Sequence, residues 1–184
     1  AVLRLQPAGL SPAGAVLAAD DGGIWCTVKP GGVYKIDASG RITCINSAPS
    51  DAHVLYRDKS GRYWLGTDNN LYQFLPEKGL FVRKGTYEGR GITTITGDDD
   101  GRLYLGLFGV GLCVLDPELD KGEIMTMQQV DRPGGYLCNN WINMMCTDSE
   151  GNLWIATSSG VSMMKPKGRV FNSMGWNNLL EGKQ

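Results

Sequence analysis

Four times along this chain an apolar run leads into a short polar turn with glycine, then into a second apolar run that carries an aromatic residue. The copies open at Val16-Leu17-Ala18-Ala19, Val54-Leu55-Tyr56-Arg57, Ile92-Thr93-Thr94-Ile95 and Ile142-Asn143-Met144-Met145. Their aromatic anchors are Trp25, Trp64, Tyr104 and Trp154, spaced by 39, 40 and 50 residues (25 to 64, 64 to 104, 104 to 154). In the last three copies Asp58, Asp98 and Asp148 stand six residues before the aromatic, with Gly61, Gly101 and Gly151 three before it. In the first copy, Asp20-Asp21-Gly22-Gly23 reads as the same turn shortened by one residue. The longer last interval is absorbed by one insertion around Asp131 to Asn140. A repeat of about 40 residues outranks any local signal, because each copy is one supersecondary unit that must bury its apolar surface against a neighbour.

Each copy reads as consecutive hairpins. The Asp of D-x-x-G can bond its own turn, and the Gly tolerates positive φ. A third run follows in each: Gly32-Val33-Tyr34-Lys35-Ile36, Asn70-Leu71-Tyr72-Gln73-Phe74, Gly111-Leu112-Cys113-Val114-Leu115 and Gly160-Val161-Ser162-Met163-Met164. Fourth runs lie at Arg41 to Ile45, Leu80 to Arg83, Ile124 to Gln128 and Arg169 to Asn172. Four short antiparallel strands per unit of this length are the mark of β-propeller blades. The chain is therefore expected to be all-β: one propeller segment over 1–184, with four four-stranded blades near 14–46, 52–84, 90–130 and 140–173. Helical periodicity is nearly absent, with one turn expected at Trp176 to Glu181.

Second strands such as Tyr63-Trp64-Leu65 and Leu153-Trp154-Ile155 are apolar on both pleat faces, where a half-exposed strand would alternate. Both faces should therefore be covered, with the aromatics packed between blades. Residues 1–6 read as the last strand of a preceding blade, and Ser173 to Gln184 as a connector. Both suggest a partial section of a larger, six- to eight-bladed ring.

Net charge is −1, from 18 basic and 19 acidic residues, without the basic footprint that phosphate neutralisation needs, so no nucleic-acid partner is expected. No stretch approaches 18 apolar residues. Cys26, Cys44, Cys113, Cys138 and Cys146 are odd in number and form no CxxC, so most are expected to be free and buried. A single histidine, His53, leaves both a Ser/His/Asp triad and a multi-His metal site without their parts. Asp98-Asp99-Asp100-Gly101 has the acid count of a calcium loop but lacks the downstream Glu and falls in the repeated turn, so turn chemistry accounts for it. No catalytic residue, metal or cofactor is expected.

In such a ring, loops from a fourth strand to the next first strand, and from second to third strands, share one face. Polar and aromatic residues there are the binding candidates: Asp51, His53, Asp68, Asn69, Tyr87, Glu88, Arg90, Phe108, Arg132, Tyr136, Asn139, Asn140 and Trp141. Sugars suit that mixture, since aromatic faces stack on pyranose C–H while Asn, Asp and Arg pair with hydroxyls. Tyr136 and Trp141 lie in or beside the one insertion.

Ile142 to Val161 and Val54 to Leu71 carry the pattern I-x-x-I/M-x-x-D-x-x-G-x-L-W-I-G/A-T followed by G-V/L, which resembles the two-component regulator propeller repeat. Leu137-Cys138-Asn139-Asn140-Trp141-Ile142 also resembles the lead-in of such repeats. The likeness runs over about residues 14–172, with departures at Tyr104 and Leu107. It implies a non-catalytic, ligand-sensing part of a hybrid two-component sensor: periplasmic, in an inner-membrane-anchored protein, recognising a small molecule or oligosaccharide. It implies as partners the remaining blades and downstream signalling domains, including a histidine kinase, with the full-length protein a homodimer. Free cysteines weigh mildly against an oxidising compartment. Two other readings stay open: a propeller lyase or hydrolase of the streptogramin-lyase kind, and a structural or protein-interaction propeller.

Overall fold

The computed structural model describes residues 13–28, 32–118, 121–125, 137–165 and 170–175. The expected strand at residues 1–6 and the turn at Trp176 to Glu181 lie outside them. The described residues form sixteen strands in four antiparallel sheets of four. Sheet 1 holds β1 (Ala13–Ala18), β2 (Ile24–Val28), β3 (Gly32–Ile36) and β4 (Ile42–Ile45). Sheet 2 holds β5 (Val54–Arg57), β6 (Tyr63–Gly66), β7 (Asn70–Leu75) and β8 (Leu80–Thr86), with one 3-10 turn at Pro76–Lys78. Sheet 3 holds β9 (Ile92–Gly97), β10 (Leu103–Leu107), β11 (Gly111–Asp116) and β12 (Lys121–Met125). Sheet 4 holds β13 (Ile142–Thr147), β14 (Leu153–Thr157), β15 (Gly160–Lys165) and β16 (Val170–Gly175). In every sheet the strands lie in sequence order, each paired with the next, as meandering blades.

The blades are held by the joints between them. Trp25 and Val33 of the first sheet pack against Ala52, Leu55, Tyr63, Leu65 and Phe74 of the second. Trp64 and Leu71 then meet Ile92, Ile95, Leu103, Leu105 and Leu107 of the third. Tyr104, Leu112 and Val114 meet Ile142, Met145, Leu153, Ile155 and Met164 of the fourth. Each sheet thus offers its aromatic forward and receives its neighbour's on the residues alternating with it, which is why the second strands are apolar on both faces. The Gly of the repeat serves these joints. A Cβ on Gly106 would lie 3.0 Å from Ile142 Cγ2 of the next sheet and 2.8 Å from Thr94 Cγ2 of its own.

Three expectations need correction. The first copy's turn is not shortened. Ala19 N–H donates to Gly23 O as Asp58 N–H donates to Arg62 O, and Gly22 takes φ 78° where Gly61 takes 80°. Ala19 therefore occupies the Asp position, and Asp20 lies one place beyond it. Nor are all second strands covered on both faces: in β14 burial alternates, and Trp154 is 42% exposed where Trp64 and Tyr104 are buried. All five cysteines are free, but only Cys26 and Cys113 are buried; Cys44 and Cys146 are exposed.

Elsewhere the repeat reading stands. Asp98 accepts from Arg102 N–H at 2.9 Å and Gly101 N–H closes onto Asp98 O, so the acidic triplet is a turn. Among the described residues no cluster of His, Cys, Asp or Glu could hold a metal ion, and no helix is long and apolar enough to cross a membrane.

Candidate functional site

The face bearing the β4–β5, β6–β7, β8–β9 and β10–β11 connections, with residues 137–141 leading into β13, is assembled by hydrogen bonds from backbone N–H groups running from loop to loop. Asp68 N–H donates to the Asp51 carboxylate at 3.2 Å, tying two connections of sheet 2. Tyr87 N–H donates to Asn69 O, and Gly89 N–H to Asn69 Oδ1 at 3.0 Å. Phe108 N–H donates to Gly91 O at 2.9 Å and Ser158 N–H to Trp141 O at 3.0 Å. One continuous hydrogen-bonded rim thus runs across sheets 2 and 3, and a second bond closes the connection into sheet 4.

Within the rim lies a depression of about 400 Å3 lined by His53, Asp68, Asn69, Gly89, Gly91, Thr93 and Phe108. Four of the sequence candidates meet here. Gly89, Gly91 and Thr93 were not anticipated; the signal available was the spacing of Gly89 and Gly91 in one loop, where absent side chains leave backbone open to a ligand.

Beside the depression, Phe108 and Trp141 form an edge-to-face pair with centroids 4.5 Å apart and an interplanar angle of 64°. They come from different blades and are 52% and 49% exposed. The turn holds the pair in place: Gly109, at φ 67°, has Trp141 ring atoms 3.8 Å from where its Cβ would stand. Trp141 N–H donates to Asn139 Oδ1 at 2.8 Å, while Asn139 Nδ2 donates to Ser159 Oγ at 2.8 Å, so Asn139 is a brace for the loop. Asn140 is half-buried next to it.

His53 joins two blades. Its Nδ1 lies 2.9 Å from Asp51 O and its Nε2 2.8 Å from Ile92 O, with Asp68 Oδ1 3.5 Å from Nδ1. Both ring nitrogens face carbonyl oxygens. Tyr87 points into the joint: its hydroxyl faces the Cys113 thiol at 3.9 Å, and burial pushes both groups above their usual range. Glu88 and Arg90 are exposed at the rim. Arg132 and Tyr136 lie outside the described residues.

The opposite face, with the D-x-x-G turns, has grooves of its own. One of about 460 Å3 lies between sheets 1 and 2 and includes Asp20, Trp25, Lys35, Arg62 and Tyr63. Four of its charged side chains are held in ion pairs: Lys35 with Asp21 inside the groove, Asp20 with Arg57 and Arg62 with Asp58 and Glu118 outside its lining. That groove is larger, whereas the rim face holds exposed aromatic and polar side chains together.

Comparison with known proteins agrees with this architecture. An extracellular domain of a hybrid two component system from B. thetaiotaomicron superposes with a TM-score of 0.70 at 23% identity, over 82% of this chain and 21% of that one. A second such domain from the same organism gives 0.71 at 20% identity, over 91% and 23%. Virginiamycin B lyase from Staphylococcus aureus gives 0.70 at 13% identity, over 89% and 55%. The chain spans about a fifth of the length of the two-component domains. No curated protein matches in sequence. The fold is that of a β-propeller. Residues 46–69 and 136–159, in the second and fourth copies, match the two component regulator propeller family.

Proposed function

We propose that this propeller segment is a non-catalytic ligand sensor that recognises an oligosaccharide on the rim face and belongs to a periplasmic sensor acting on a histidine kinase. The observation that carries the reading is the half-exposed Phe108–Trp141 pair standing beside a depression edged by Asp68, Asn69 and the backbone of Gly89 and Gly91. A sugar ring offers an apolar C–H face to the aromatics and hydroxyls to the amide and carboxylate. The two-component repeats and the extracellular two-component domains of like fold support the signalling context.

The lyase of like fold supplies the rival reading, and a histidine variant of that enzyme is described as catalytically inactive. Here the single histidine has a carbonyl oxygen against each ring nitrogen, leaving neither to serve a substrate as acid or base. Calorimetry against a panel of oligosaccharides tests the proposal: at least one should bind and be recovered intact, and Trp141→Ala should weaken it about tenfold or more. Cleavage of the ligand, or binding untouched by Trp141→Ala and Phe108→Ala, would contradict it.

A further inference from the structure

The charges around the rim depression are one-sided. Asp68 lines it with a side chain that is 56% exposed. The Asp51 carboxylate stands next to it and accepts the Asp68 N–H at 3.2 Å, so two acids share one corner. Among the described residues that line the depression, none is lysine or arginine. His53 does not fill that gap: its Nδ1 lies 2.9 Å from Asp51 O and its Nε2 2.8 Å from Ile92 O, with Asp68 Oδ1 further off at 3.5 Å from Nδ1. Whichever nitrogen carries the proton already has a main-chain carbonyl to donate to. Glu88 and Arg90, on either side of Gly89, are both exposed and offset one another.

The other groups at the depression are neutral. Asn69 Oδ1 accepts Gly89 N–H at 3.0 Å, which leaves the amide nitrogen as the end that can donate to a sugar hydroxyl. Thr93 Oγ1 donates to Ile142 O at 2.9 Å, so its proton is spent on the next blade. Phe108 and Trp141, paired at the edge, are uncharged rings whose faces carry partial negative charge; such faces attract a cation and repel an anion. Carboxylate and aromatic faces therefore favour a ligand of the same sign.

We infer that the rim depression selects an amine-bearing saccharide, with the ammonium of an amino sugar on the Asp68 carboxylate and the sugar ring on Phe108 and Trp141. The inference rests on the sugar-binding reading of this face and adds the charge of the ligand. A charge-assisted hydrogen bond from ammonium to carboxylate is stronger than one from a hydroxyl. A uronate or sulfated sugar would bring its anion against Asp68 and the ring faces, with no lysine or arginine among the described lining residues to receive it. One carboxylate thus supplies both the attraction for the right ligand and the rejection of the wrong one.

Calorimetry on the full chain with a glucosamine oligomer, its N-acetylated form and a galacturonate oligomer of the same length tests this. The glucosamine oligomer should bind about fivefold or more tighter than the N-acetylated form, with the galacturonate oligomer weakest. Asp68→Asn should bring the first two to equal affinity, and circular dichroism checks that the variant folds. On the unaltered chain, added salt should narrow the same gap, because it screens the ammonium–carboxylate pair. A glucosamine oligomer that fails to bind, a gap that survives Asp68→Asn or ignores salt, or tightest binding of the galacturonate would overturn the assignment. A neutral sugar that binds best and is weakened by Trp141→Ala would overturn the charge selection and leave the rim-face reading standing. Sugar binding that both Trp141→Ala and Phe108→Ala leave untouched would overturn the two together.

Discussion

The indole N–H of Trp64 donates to the Asp58 carboxylate at 2.9 Å, across six residues and a hairpin turn. Trp154 and Asp148 repeat the bond at 2.8 Å, and Tyr104 makes it to Asp98 through its hydroxyl at 2.7 Å. The spacing of Asp and aromatic is therefore one of bonding partners: the turn's acid fixes the ring that the next blade packs on. Asp58 is buried and also holds Arg62 at 2.7 Å. Asp58→Ala would leave a buried indole N–H without its acceptor and the Arg62 guanidinium with Glu118 alone, and is expected to cost about 2–4 kcal/mol. Urea unfolding checks it, with Asp58→Asn costing less.

The same bonds set the acid limb of stability. The Trp154 indole N–H and the Asn152 amide draw the Asp148 carboxyl down to about 2. At Asp58 burial works the other way, yet the bonds from Trp64 and Arg62 leave it below its usual value. Folded, both carboxyls resist protonation more than in the unfolded chain, so their stabilisation is full above about pH 4 and is lost as pH falls towards 2. Urea midpoints should drop through that window. Asp148→Asn should flatten the drop, and a carbon-detected titration of Asp148 should find its midpoint near the lower end.

Sheet 1 lacks the acid and solves the problem across the joint. The Trp25 ring stands edge-on to the Tyr63 ring of sheet 2 with centroids 6.3 Å apart, and the Tyr63 hydroxyl donates to Asp20 Oδ2 at 3.2 Å. Tyr63→Phe is therefore expected to destabilise the chain by about 1–2 kcal/mol. Ala19→Asp, which restores the carboxylate of the other turns, should recover part of that loss in the double variant. Thermal unfolding of the four proteins in this cycle measures the coupling.

Gly106 lies where the Ile142 side chain of the next blade comes close, and Gly66 likewise has Ile92 Cγ2 3.0 Å from its missing Cβ. Gly106→Val is expected to cost about 1–3 kcal/mol by overpacking the joint. The equivalent Ala156 is exposed, so Ala156→Val should change little. Equal losses at both positions would contradict the account of the repeat's small residue.

The blade plan was legible because Asp58, Asp98 and Asp148 hold one spacing to their aromatics while the flanking runs keep strand length. The first copy misled because Asp20 lies next to the true turn position; only the Ala19 to Gly23 bond, a backbone feature, fixes the register. At the site, the loops were placed from strand order alone, and His53, Asp68, Asn69 and Phe108 do converge. What sequence could not give was side-chain direction. Tyr87 turns inward to Cys113, and Phe108 finds Trp141 on another blade, a contact set by how blades stack. Trp154 matches its siblings in sequence and differs only in having no sheet against it among the described residues.

The most direct measurement is an amide and indole chemical-shift titration of the chain with a binding oligosaccharide, followed by recovery of the sugar. The account expects shifts at the Trp141 indole and at the amides of Asn69, Gly89 and Gly91, with the sugar unchanged. Shifts centred on the turns of Asp58, Asp98 and Asp148, or a cleaved sugar, would contradict it.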